Sequence, residues 1–72
     1  MGLNDRQITA LALIINNNEF FSTKTYSERL NVSIRTARRD LNKLSEEGYI
    51  SKYYPQNKKV GVFGKHQDDE NQ

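Results

Sequence analysis

Arg35, Arg38 and Arg39, followed by Asn42 and Lys43, gather within nine residues the side chains best able to recognise an anionic or hydrogen-bonding partner. Guanidinium groups are planar forks of donors that match a phosphate or the edge of a guanine. Ser33 and Thr36 sit just ahead, where small hydroxyls and the free N–H groups of a helix start suit phosphate. At 100° per residue Ala37, Leu41, Leu44 and Gly48 form one packing stripe, and Arg35, Arg39, Asn42 and Lys43 fall on the opposite side. Arg35 and Arg39 point most directly away from the stripe and are the candidates for a guanine edge. Arg38, turned toward the flank, suits a phosphate or an intramolecular carboxylate. Ile34 suits either a base methyl group or partial burial. Asp40, an acid beside three arginines, would repel phosphate, so its expected role is to orient Arg38, Lys43 or a residue on another helix. The bland alternative for the arginines is a solvated face, since arginine is a good helix former and charge usually lies at the surface.

Such a face needs a helix, and the helix needs supports. Ser33 caps a helix over residues 33–47 and Gly48 stops it. Before it, Ser22 caps a short helix over residues 23–30, with Phe21 and Tyr26 in staple positions. Tyr26 and Leu30 make its buried side, and Lys24, Ser27 and Glu28 face out. Asn31 stands at the reversal between the two helices, where a residue tolerant of the left-handed conformation is required, and Val32 plugs the corner. A first helix starts at Asn4, with Asp5 in the first turn, Gln7 closing a capping box and Leu3 against Ile8 as a staple. Its expected core face is Ile8, Leu11, Ala12 and Ile15, widened by Leu13 and Ile14, and the run of Asn16, Asn17 and Asn18 ends it. Glu19, Phe20 and Phe21 suit a short strand or an anchored loop.

After Gly48 the period changes. Residues 49–54 and 59–63 are rich in aromatic and β-branched side chains, with Pro55 opening a polar turn between them, which predicts a β-hairpin. Of Tyr53 and Tyr54, one is expected to pack and the other to be exposed. Lys52, Lys58 and Lys59 are candidate phosphate contacts, as are Ser22, Thr23 and Lys24 at the start of the second helix. From Gly64 nothing remains to bury, and residues 64–72 are expected to form a disordered acidic tail.

Composition excludes more than it assigns. Seventy-two residues with no cysteine and one histidine make one small domain without disulfides or thiolate metal sites. There is no Gly-rich phosphate loop, no HExxH and no paired carboxylate outside the tail, so neither an enzyme nor a cofactor or metal is expected. His66, beside the acidic tail, suits a solvated residue better than a ligand. No apolar run approaches a membrane span, and no signal peptide is legible, so a cytoplasmic protein is expected. The net charge of +2 conceals segregation: residues 1–22 carry −1, residues 23–65 carry ten Lys or Arg against four Asp or Glu, and residues 66–72 carry −3.

The run from Val32 to Ile50, read as VS-x-x-T-x-RRDL-x-x-L-x-x-x-G-x-I, closely resembles the DNA-binding region of DeoR-type winged helices. It is also similar to the small winged-helix domain at the C-terminus of some Fic-type proteins and of AlbA-type regulators, where TA-x-RDL is frequent. The resemblance covers residues 3–63, is strong over 25–50 and fades in the hairpin. Asn31 stands where glycine is common, and the hairpin tip PQNKK lacks the Gly-rich basic wing of many relatives. The resemblance implies an α+β winged helix, a three-helix helix-turn-helix core followed by a β-hairpin wing. It implies sequence-specific double-stranded DNA binding by a small transcriptional regulator, with helix 33–47 in the major groove and residues 55–59 on the backbone. A homodimer or an attached domain is expected when bound, and no small-molecule ligand is indicated. Two other readings stay open: a winged helix that binds a partner protein, and a DNA-binding module of a replication-initiation or larger regulatory protein.

Overall fold

Each helix begins on a side chain that satisfies its own first turn. The computed structural model describes residues 2–56 and 59–66, and its elements are α1 (Asp5–Asn17), α2 (Thr23–Leu30), α3 (Ile34–Glu46), β1 (Ser51–Tyr53) and β2 (Val62–Gly64). Asn4 accepts from the Gln7 N–H at 2.8 Å while the Gln7 side chain accepts from the Asn4 N–H at 2.9 Å, so the capping box is complete. Ser22 and Ser33 cap α2 and α3 by accepting from the N–H groups of Thr25 and Thr36, both at 3.1 Å. Orphan donors that would otherwise need water are met within the chain.

The helix ends are equally specific. Asn18 and Asn31 adopt the left-handed conformation, with φ of 58° and 57°. Asn pays less steric strain there than other residues with a Cβ, which is how the turn from α2 to α3 dispenses with glycine. At the end of α3 the N–H of Tyr49 reaches the carbonyl of Leu44 at 2.9 Å and that of Gly48 reaches Ser45 at 3.1 Å. This is a Schellman closure, and Gly48 serves it with φ of 87°.

The core comprises Ala10, Ile14, Phe21, Tyr26, Ala37, Leu41, Leu44, Ile50 and Phe63, drawn from all three helices, the loop after α1 and the hairpin. Leu3, Leu11, Leu13, Leu30 and Val32 pack around it. The α3 stripe is Ala37, Asp40, Leu41 and Leu44; Gly48 lies past the helix and is exposed, so it does not belong to the packing face. Ser27, expected to face out, is half-buried and donates to the Val32 carbonyl at 2.6 Å, tying α2 to the turn.

The face of α1 differs from expectation. Gln7, Ala10 and Ile14 are buried, whereas Ile8, Ala12 and Ile15 are exposed and Ile8 makes no buried staple. Apolar residues surround most of this helix, so periodicity leaves its rotation open. Small Ala10 lets α1 approach the core, and the Gln7 carboxamide lies 3.5 Å from the carboxylate of Asp40, which favours this rotation.

β1 and β2 are antiparallel, with Ser51, Lys52 and Tyr53 paired to Gly64, Phe63 and Val62. The strands are shorter than residues 49–54 and 59–63 because Tyr49 is spent on closing α3 and Ile50 turns into the core, while Lys59 and Val60 lie in bends. Phe21 adds a bridge to Phe63, with backbone hydrogen bonds of 2.8 and 2.7 Å, so the segment after α1 is an anchored loop pairing with the hairpin. Gly64, placed by sequence in the tail, belongs to β2 and is buried. Beyond it the Tyr53 hydroxyl donates to the Lys65 carbonyl, and His66 bonds Ser51 and the Gly48 carbonyl. Residues 67–72, the remainder of the expected tail, lie outside the described residues. Three helices followed by this hairpin make an α+β winged helix.

Candidate nucleic-acid interface

Burial of Ala37, Leu41 and Leu44 turns the other side of α3 to solvent. Arg35, Arg38, Arg39 and Asn42 are exposed there, and among the described residues none of the three arginines makes an ion pair. Lys43 is half-exposed, and its ammonium lies 3.8 Å from Glu47, an exposed pairing that offsets part of its charge. Ile34 is 42% exposed, between the two roles its position allowed. The Ser33 hydroxyl is engaged in capping and donates to Thr36 Oγ1 at 3.1 Å.

Arg38 and Asn42, one turn apart, face the hairpin across a cleft of about 240 Å³. Thr23 from the start of α2, Lys52 from β1, and Val60, Gly61 and Phe63 complete its wall. Four of the candidate residues, from three separate elements, therefore meet around one polar cavity. The Lys52 ammonium is held 5.2 Å from the Tyr54 ring centre and 5.5 Å from that of Phe63, which positions its charge at the cleft. Gly61 makes room for the Lys52 stem: a Cβ there would lie 2.6 Å from Lys52 Cε. Ser22 and Lys24 line a second cleft, about 570 Å³, with Pro55, Val60 and Val62. Lys59 is exposed on the hairpin bend, and Lys58 lies outside the described residues.

The acid among the arginines points the other way. Asp40 is 2% exposed and accepts from Arg6 Nε at 2.8 Å, Arg6 Nη2 at 3.2 Å and the Tyr26 hydroxyl at 2.8 Å. Of the partners open to it from the sequence, it takes a residue on another helix; among the described residues Arg38 and Lys43 do not pair with it. The hydrogen bond to Asp40 raises the pKa of the Arg6 guanidinium. Burial, reinforced by the adjacent carboxylate, pushes the Tyr26 phenol above its ordinary range. The network joins α1, α2 and the back of α3. Sequence reading missed Arg6 in it, because the partners are 34 residues apart and no periodicity links them.

The family model of the DeoR-like helix-turn-helix domain matches residues 7–55. The chain belongs to that family. The matched span runs from α1 through β1, and so includes the helix-turn-helix formed by α2, Asn31 and α3. No curated protein and no solved structure matches the chain. The DeoR-like domain is thus a DNA-binding unit of the kind used in transcription regulation. Among its described residues no helix is long and apolar enough to cross a membrane, and no group of three or more His, Cys, Asp or Glu is placed to hold a metal ion.

Proposed function

We propose that this domain reads a specific double-stranded DNA sequence and serves as a small transcription regulator. In this reading α3 enters the major groove, with Arg35 and Arg39 reaching base edges and Ile34 near the groove floor. Ser33, Thr36, Asn42 and Lys43 border the contact. Arg38, with Thr23 and Lys52 around the cleft, holds a backbone phosphate beside it. Ser22 and Lys24 at the start of α2, and Lys58 and Lys59 on the hairpin, meet the flanking backbone.

The observation that carries the reading is the convergence of Thr23, Arg38, Asn42 and Lys52 on one cleft beside arginines that have no ion pair among the described residues. Asp40, the acid set beside these arginines in the sequence, is turned inward to Arg6 rather than toward them. One winged helix buries only about 600 to 1,000 Å² on DNA, so a second copy or an attached domain supplies the rest of the affinity.

The test is binding to duplex DNA over a salt series, together with selection of bound sites from a random duplex library. Replacement of several counterions gives a steep fall in affinity with salt. A flat salt dependence with no enriched sequence would overturn the reading in favour of a protein-binding winged helix.

A further inference from the structure

Among the described residues, one side of α1 has no partner within the fold. Ile8 is 53% exposed and Ile15 44%, with Ala12 exposed between them and Leu11 half-buried at the edge. At 100° per residue this stripe is centred roughly 130° around the helix from Gln7, Ala10 and Ile14, which face the core. The outward side of a surface helix is where charged residues ordinarily collect. Here the twelve residues 7–18 contain no charged side chain, in a chain that is 28% charged.

We propose that the Ile8, Ala12 and Ile15 stripe is the contact between two copies of this chain, their α1 helices packed antiparallel about a two-fold axis passing between Leu11 and Ala12. The absence of charge points to a second copy. A two-fold contact sets a surface against itself, so any net charge would repel, while an acidic or basic partner would find nothing on this stripe to pair with. The spacing is self-complementary: the axis sets Ile8 against Ile15 of the other copy and Leu11 against Ala12. The nearest acids, Asp5 and Glu19, fall opposite Asn18 and Asn4 rather than opposite one another. Ala12 at the centre permits helix axes to approach to about 8 to 10 Å. Residues 67–72 hold three acids and no apolar side chain, so this segment of the chain is unsuited to cover the stripe. A stripe of four residues buries well below the roughly 1,600 Å² of a standard interface, so the dimer dissociates on dilution. The arginines of α3 lie on another helix and stay free in it. The contact deepens the proposal of a second copy, on which its use in DNA reading rests, but it is tested without DNA.

The experiment is sedimentation velocity of the full chain over a wide concentration series, for the wild type, for Ile8→Gln/Ile15→Gln and for Ala12→Cys. The wild type is expected to move reversibly toward twice the monomer mass, and the double variant, folded by circular dichroism, to stay monomeric throughout. Because the chain has no cysteine of its own, Ala12→Cys offers one thiol beside the axis. It is expected to form a covalent dimer on mild oxidation far faster than Ser45→Cys. A wild type that stays monomeric throughout, or a double variant that dimerises like the wild type, overturns the proposal. So does a Ser45→Cys variant that cross-links as fast as Ala12→Cys. A monomeric wild type that binds DNA sequence-specifically removes this contact alone; a dimer without DNA binding removes the DNA reading alone.

Discussion

Asp40→Ala is expected to cost about 3 to 4 kcal/mol of folding stability, and removing the Tyr26 hydroxyl as well is expected to add nothing to that cost. Deleting one member of a buried ion pair typically costs about 3 to 5 kcal/mol. The Arg6 side chain is 38% exposed and recovers water when its partner is gone, which argues for the lower part of that range. The Tyr26 hydroxyl does not: Tyr26 is 0% exposed, and without Asp40 its donor is orphaned at about 1 to 3 kcal/mol. Tyr26→Phe alone keeps the ring against Phe21 and loses one hydrogen bond to a carboxylate, about 2 kcal/mol. In Tyr26→Phe/Asp40→Ala no orphaned hydroxyl remains, so the pair should cost no more than Asp40→Ala, a coupling of about 2 kcal/mol. Urea denaturation followed by circular dichroism gives all four stabilities, and each kcal/mol shifts Tm by about 4 to 8 °C in a domain this size. Simple addition of the two single costs would refute the shared bond as the source of the stabilisation.

Alkaline pH is expected to act through the same phenol. Because its folded pKa is raised, its stabilising effect is complete below the unfolded value of about 10 and is lost as pH rises above it; wild-type stability should fall there more steeply than that of Tyr26→Phe. Leu41→Ala, at the buried centre of the α3 stripe, should cost about 2 to 5 kcal/mol in the same denaturation assay. Gly48→Ala meets no atom within 4 Å but must hold φ near 87°, so it should cost about 1 to 2 kcal/mol, and an unchanged Tm would contradict the closure described for α3.

Local signals made much of this legible. Asn4 with Gln7, Ser22, Ser33, Asn31 and Gly48 each act within a few residues, and the caps and turns fall where those residues place them. The α3 stripe was legible because one side of that helix is distinctly apolar. What the sequence withheld depends on distant partners. The rotation of α1 follows from packing against Asp40 and the core, while its own apolar residues point several ways. Arg6 and Tyr26 meet at Asp40 only after three helices assemble. The hairpin pairing at residues 62–64 likewise depends on Gly61 closing over Lys52 and on Phe21 bridging to Phe63. The convergence of Thr23, Arg38, Asn42 and Lys52 belongs to the same class: each is a candidate by charge, by position at a helix start or, for Asn42, by lying opposite the packing stripe, but their shared cleft exists only once the hairpin is seated.

DNA reading through α3 is tested most directly by the affinity and sequence preference of Arg39→Ala on duplexes selected by the wild type. Arg39 is exposed and has no ion pair among the described residues, so its loss should leave the fold intact. Binding is expected to weaken by about 1 to 3 kcal/mol, with preference relaxed at one base position. A folded Arg39→Ala variant with unchanged affinity and unchanged preference would contradict it, and would leave that side of α3 a solvated surface.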